Sequence, residues 1–169
     1  MKKLTFEEMK NMKVVELPAD KVILPMEEAV KFAKTNLKQD EISPDELIGF
    51  TFSWTFNTTK DVLIPSENIF AINVENDSTY IHLVYNKDNI IADEYFYNEE
   101  EGKLEWYSRC EASLKENSRF QLDWSYSDSF VEHLNETDNA FVHQINTTLK
   151  VNVLVSLDCY AKNKESIHN

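Results

Sequence analysis

The chain has 169 residues, a formal net charge of −13 and only two glycines, Gly49 and Gly102. Its length suffices for a real core, and 12% aromatic and 42% hydrophobic residues argue against disorder despite the charge. Two glycines are too few for P-loop or dinucleotide-binding loops, and the acidic excess disfavours nucleic acid and anionic membranes as partners.

Fifteen of the seventeen basic residues are lysine and asparagine is abundant, which suggests an AT-rich coding genome: a low-GC bacterium, its phage or a plasmid. Residues 1–13 carry charges throughout with no apolar stretch of the signal-peptide kind, and no later run approaches the ~18 apolar residues of a membrane span. Cys110 and Cys159 are too few for a disulfide framework and too isolated for a zinc site. The expectation is a reduced, cytoplasmic protein.

From the amino terminus, Thr5-Phe6-Glu7-Glu8 has capping-box form and predicts a short helix over 6–11. Lys13 to Leu17 reads as a short strand. Pro25 with Glu27 and Glu28 opens a helix to Leu37 whose core face is Met26, Ala29, Val30, Ala33 and Leu37. Ser43-Pro44-Asp45-Glu46 is a helix-start or turn signal. It is followed by Ile48, Phe50, Phe52, Trp54 and Phe56 alternating with smaller or polar residues, the pattern of a strand lying on a large apolar surface. Val62-Leu63-Ile64 reads as another short strand.

Residues 68–113 hold four alternating runs joined by short polar turns, a β-meander, since connections so short join antiparallel neighbours. Residues 67–116 carry twelve acidic and four basic residues, more than half of the net charge. Phe120, Leu122, Trp124 and Tyr126 mark one more amphipathic strand. Ser127-Asp128-Ser129 offers helix caps, Ser129 and Glu132 having capping-box spacing. From Phe141 the odd positions Ile145, Leu149, Val151, Val153, Val155, Leu157 and Cys159 are apolar and predict one broken or two paired strands to residue 160.

Together these predict an α+β fold in one domain, residues 1–161, with a disordered tail over 162–169. Its mostly antiparallel, twisted sheet has roughly seven to nine strands, with the 25–37 helix packed on the concave face. A β-barrel or a two-sheet sandwich is the alternative.

Four groups of residues invite a chemical reading. With Leu104, Trp106, Cys110 and Ala112 pointing inward, Glu105, Tyr107, Arg109 and Glu111 point outward, beside Asp93, Tyr95 and Tyr97 and near the Glu99, Glu100 and Glu101 turn. Rigid tyrosines among carboxylates suit capture of a basic protein surface, including one built to hold nucleic acid, for which spaced carboxylates on this face could stand in. A solvated sheet face is the plain alternative. Phe50, Phe52, Trp54, Phe56, Phe120, Leu122, Trp124 and Tyr126 could instead line a concave ligand site or a minor active site, although such residues more often fill a core. Glu132, His133, Glu136 and His143 lack metal-site spacing and are expected to be structural or solvent-exposed, and both cysteines fall on apolar strand phases, where core filling is expected. No catalytic residue, metal or cofactor is assigned. The reading is an acidic, non-catalytic binding module of inhibitor or immunity type.

Overall fold

The computed structural model describes residues 26–59, 68–74, 79–85, 89–116, 120–137 and 140–168, with short pieces at 5, 7–8, 11 and 14–16. In chain order the elements are β1 (Val14–Glu16), α1 (Met26–Leu37), α2 (Pro44–Thr59), β2 (Asn68–Val74), β3 (Thr79–Tyr85), β4 (Asn89–Asn98), β5 (Lys103–Leu114), β6 (Phe120–Tyr126), α3 (Asp128–Thr137) and α4 (Ala140–His168). The fold is α+β. Among the described residues six strands form one sheet in the order β1-β2-β3-β4-β5-β6, fewer than the roughly seven to nine expected. β1 runs parallel to β2, and every other neighbouring pair is antiparallel. The meander is present as read. The proposed strand at Val62-Leu63-Ile64 lies outside the described residues.

Two alternating stretches read as strands are helices. Residues 48–56 belong to α2, which opens on a capping box: Glu46 donates its backbone N–H to Ser43 Oγ (3.3 Å), and Ser43 donates its own to Glu46 Oε2 (3.2 Å). Pro44 takes the first helical position and Asp45 and Glu46 occupy the first turn. The alternation misleads because α2 is apolar on several sides. Leu47 and Ile48 pack towards α1 and α4, while Phe52 packs on the sheet. Residues 141–160 belong to α4, whose buried residues Ile145, Thr148, Leu149, Asn152 and Val155, with Thr147, Val151 and Leu154, form a helical stripe. Polar side chains inside that stripe hid the period. They are kept there by hydrogen bonds: Thr148 Oγ1 donates to the Gln144 carbonyl (2.8 Å), and Asn152 Nδ2 to the Thr51 carbonyl (3.4 Å). α4 runs on through 162–168, the stretch read as a tail.

The layers differ accordingly from the expected ones. α2 and α4 cover one face of the sheet, where Phe52, Val151, Leu154 and Val155 meet Ile81, Leu83, Ile90, Ala92, Cys110 and Ala112. Helix α1, expected on the sheet, packs through Ala33 and Val30 in the cluster of Leu47, Ile48, Ile145 and Leu149 instead. The Thr5–Glu8 capping box is formed as read, at 3.0 and 3.2 Å. α3 is capped by Ser127, whose Oγ accepts the Phe130 N–H (3.3 Å), rather than by Ser129.

Gly49 lies in the interior of α2, and a Cβ built on it meets nothing within 4 Å. Gly49→Ala should therefore stabilise the protein by about 0.5–1 kcal/mol, because it removes backbone freedom from the unfolded chain at no steric cost. Thermal unfolding should show a rise of roughly 1–4 °C. A fall would mean that this stretch is not an unstrained helix.

Candidate functional site

One residue decides how the predicted face is built. Ser108 pairs with Glu94, but the next rung joins Trp106 to Tyr95, so Tyr107 is an extra residue on β5 and forms a β-bulge. From Ser108 to the end of β5 the even positions face the helices, as Cys110 and Ala112 do. On the amino-terminal side of the bulge the phase is reversed. Leu104 and Trp106, expected inside, pack with Tyr80 and Tyr95 on the opposite, outer face. Tyr107, expected outside, packs edge-on against Phe130 of α3 (4.1 Å) and faces His143 of α4 (6.2 Å). Glu105 pairs with Phe96 on that same helix side and accepts from Asn98 Nδ2 (3.3 Å).

Of the residues read as a partner face, Asp93, Tyr95, Tyr97, Arg109 and Glu111 share the outer face. Two of them are not solvent-facing: Tyr95 is 2% and Asp93 4% exposed. Asp93 is a hub. Arg109 donates to it twice, Nε to Oδ1 and Nη2 to Oδ2, both at 2.8 Å, and Trp106 Nε1 donates to Oδ1 at 3.1 Å. A forked guanidinium fits a carboxylate in two parallel bonds. His82 sits opposite Asp93 on β3. Burial pushes its imidazole below the usual range against the pull of Asp93, with Arg109 adding to the fall.

The hairpin turn gathers Glu99, Glu100 and Glu101. Asn98 Oδ1 accepts the N–H groups of Glu100 (3.1 Å) and Glu101 (3.3 Å), and Gly102 closes the turn at φ 63°. Lys103 pairs with Glu101 at 2.8 Å and holds its carboxyl below the ordinary value. At the far end of β5, Glu111 is paired in register with Asp123 of β6, and its side chain is 42% exposed. Like charges directly across a ladder repel. Arg109 Nη1 offers Glu111 only a long contact of 3.6 Å. Asp123 is absent from the predicted face, although its place at the centre of the polar phase of 120–126 is visible in the sequence.

On the helix side a second cluster forms. Glu94, buried at the seam of β4 and α4, accepts from Thr147 Oγ1 (3.2 Å) and lies 3.5 Å from His143 Nε2. Burial pushes the Glu94 carboxyl up, but His143, Lys150 and the Thr147 hydroxyl outweigh it, and the group titrates below its ordinary value. Phe130 (4.4 Å), Tyr126 (6.0 Å), Tyr107 (6.2 Å) and Trp124 (6.3 Å) ring the His143 imidazole. Burial, then Glu94, raises the Tyr107 phenol. This arrangement holds a charge in the interior and fixes α4 on the sheet. Nothing in the sequence linked Glu94 to Thr147, which stand 53 residues apart.

The remaining candidates do not converge. Glu132 is exposed on α3, and the side chains of His133 and Glu136 lie outside the described residues. Among the described residues no group of three or more His, Cys, Asp and Glu could hold a metal. Burial, then Glu111 and Asp123, pushes the Cys110 thiol up to about 12, the behaviour of core filling rather than of a nucleophile. The aromatic list does not line a concave sheet face, because Phe50 and Phe52 are on a helix and Phe52 packs edge-on against Phe120 (5.4 Å). A cleft of about 390 Å³ beside α2 is bordered by Gln39, Glu46, Phe50 and Phe120.

No family model matches the chain, and no curated protein or solved structure matches it. Among the described residues no helix is long and apolar enough to cross a membrane.

Arg109→Ala would leave Asp93 buried without its charged partner, and the loss in urea unfolding should be roughly 2–3 kcal/mol. A loss within error would mean that water replaces the guanidinium freely. For Glu94 the folded pKa lies below its ordinary 4.5, so its ionised form stabilises the fold above that pH, and this contribution disappears as the pH falls through the folded value. Glu94→Gln should lower stability at neutral pH and flatten that part of the acid curve. An unchanged acid curve would remove Glu94 as its source.

Proposed function

We propose that this chain is a non-catalytic, acidic protein-binding module, of inhibitor or immunity type, that occupies a basic surface on a partner protein. One observation carries the reading: Glu111 and Asp123 stand side by side on the outer face of β5 and β6, while Arg109 of the same face is bonded twice to the buried Asp93. The ladder is weakened by like charges, and the local cation, held at 2.8 Å by Asp93, reaches Glu111 only at 3.6 Å. A partner that brings lysine or arginine to this pair relieves the repulsion, so binding recovers energy that folding left unused.

The wider charge distribution agrees in sign. Glu99 and Glu100 are exposed at the hairpin turn, and the net charge of −13 draws a cationic protein from a distance while keeping copies of this chain apart. Tyr97, Trp106 and Leu104 supply partly buried ring and apolar surface on the same face, which gives such a contact a non-ionic component.

The test is capture from a lysate of the cell that makes the protein, with the wild-type chain and the Glu111→Lys/Asp123→Lys variant as baits at low and high salt. A basic protein held at low salt by the wild type, released at high salt and not held by the variant is the expected result. Retention indifferent to charge reversal, or no protein retained by either bait, would overturn the reading. Because both side chains are on the surface, circular dichroism of the variant should be unchanged.

A further inference from the structure

β6 is the last strand of the sheet, and its hydrogen-bonding parity can be read from two contacts. The Ser127 N–H donates to the Tyr107 carbonyl (3.0 Å), so the odd positions at this end turn their backbone groups towards β5. The Phe120 N–H instead points at Ser53 Oγ of α2 (3.5 Å), away from β5. In an antiparallel ladder each residue turns its N–H and C=O to the same side, and successive residues alternate. Leu122, Trp124 and Tyr126 therefore present their backbone groups to the open edge, beyond the point where Ser53 caps it, and among the described residues none of their amides has a partner. The strand carries no lysine, no proline and no bulge in its pairing with β5, and beyond the Ser53 cap its one charge is Asp123.

We infer that the edge of β6 from Leu122 to Tyr126 takes up an extended segment of a partner as a seventh strand, its basic side chains alternating with apolar ones. This rests on the reading of an acidic module with a basic partner and names how the contact is made. The chemistry follows from the two sides of the strand. Gln121, Asp123 and Ser125 are exposed on the outer face, and Asp123 stands beside Glu111. Side chains of an added strand on that face meet carboxylates, so lysine or arginine belongs there. On the other face Leu122 and Trp124 are partly buried against the core, so the alternate side chains are apolar. Backbone bonds supply affinity and the alternation supplies selectivity.

A second copy of this chain is the wrong occupant. Asp123 is the middle residue of β6, so centred antiparallel pairing of two copies sets Asp123 against Asp123, with a Glu111 flanking each and a charge of −13 on both chains. Like charges directly opposite are unfavourable.

The probe is a short peptide alternating lysine with valine, compared with the same peptide N-methylated along its central stretch, which keeps the charge but cannot donate to a strand. Binding is followed by titration and by amide hydrogen exchange of the full chain. The expected result is slowed exchange at Leu122, Trp124 and Tyr126 with the unmodified peptide. Affinity should fall about tenfold or more on methylation, and likewise for Asp123→Lys. Equal binding of both peptides without protection of these amides would overturn the inference while leaving the acidic-face reading intact. Binding of neither peptide would overturn it too, and the lysate capture then decides the acidic-face reading separately. Protection of the same amides that grows with protein concentration, without peptide, would assign the edge to a second copy and overturn it as well.

Discussion

Ile81, Leu83, Ile90, Ala92, Cys110 and Ala112 put six side chains on one face of β3 to β5, and that face must be kept from water. Most of the architecture answers this demand. Phe52 covers part of the face from α2, and Val151, Leu154 and Val155 of α4 cover more of it. α1 then stacks behind, through Ala33, on the helices rather than on the sheet. The opposite face is freed from core duty towards β6, where its residues are polar and exposed. Division of labour between the two faces is thus a consequence of where the helices lie. The acidic pair joins β5 to β6 on that outer face, and the open edge is the far side of β6.

The bulge at Tyr107 is the second determinant. A shift of one residue moves side chains to the other side of a sheet. Here it sends Trp106 outward to donate to Asp93, and Tyr107 inward to Phe130 and His143. Two polar clusters result, one per face and in adjacent positions of β4: Asp93 with Arg109 and Trp106, Glu94 with Thr147 and His143. Each buries a carboxylate and gives it hydrogen-bond donors, which is the condition for keeping such a group away from water.

Much of this was legible in the residues, unevenly. The meander declared itself by strict alternation between short turns, the capping box at Thr5 is formed, and the helix-start or turn signal at Ser43 stands at the start of α2. At Ser43 the local capping signal was right and the period-two pattern after it was not. Aromatics at every second position serve a helix equally well when it is packed on several sides. In α4 the valines suited a strand, while Thr147, Thr148 and Asn152 occupied the buried stripe that a helical reading expects to be apolar. The bulge left no trace because no glycine or proline accompanies it. The outer face was accordingly half legible: Arg109 and Glu111 stand where alternation put them, Tyr107 and Glu105 do not, and Asp123 stands beside Glu111.

The contact between Asn152 and the Thr51 carbonyl spans 101 residues and ties α4 to α2. During synthesis the chain makes α2 first, then the strands, and α4 only afterwards. The apolar face of the nascent sheet therefore has Phe52 as provisional cover and waits for Val151 and its neighbours to emerge. For that interval the growing polypeptide carries a half-clad sheet with an open β6 edge, the kind of species that associates wrongly when crowded. The acidic residues concentrated in β4 to β6 are already translated by then, and their mutual repulsion guards the nascent sheet until α4 docks.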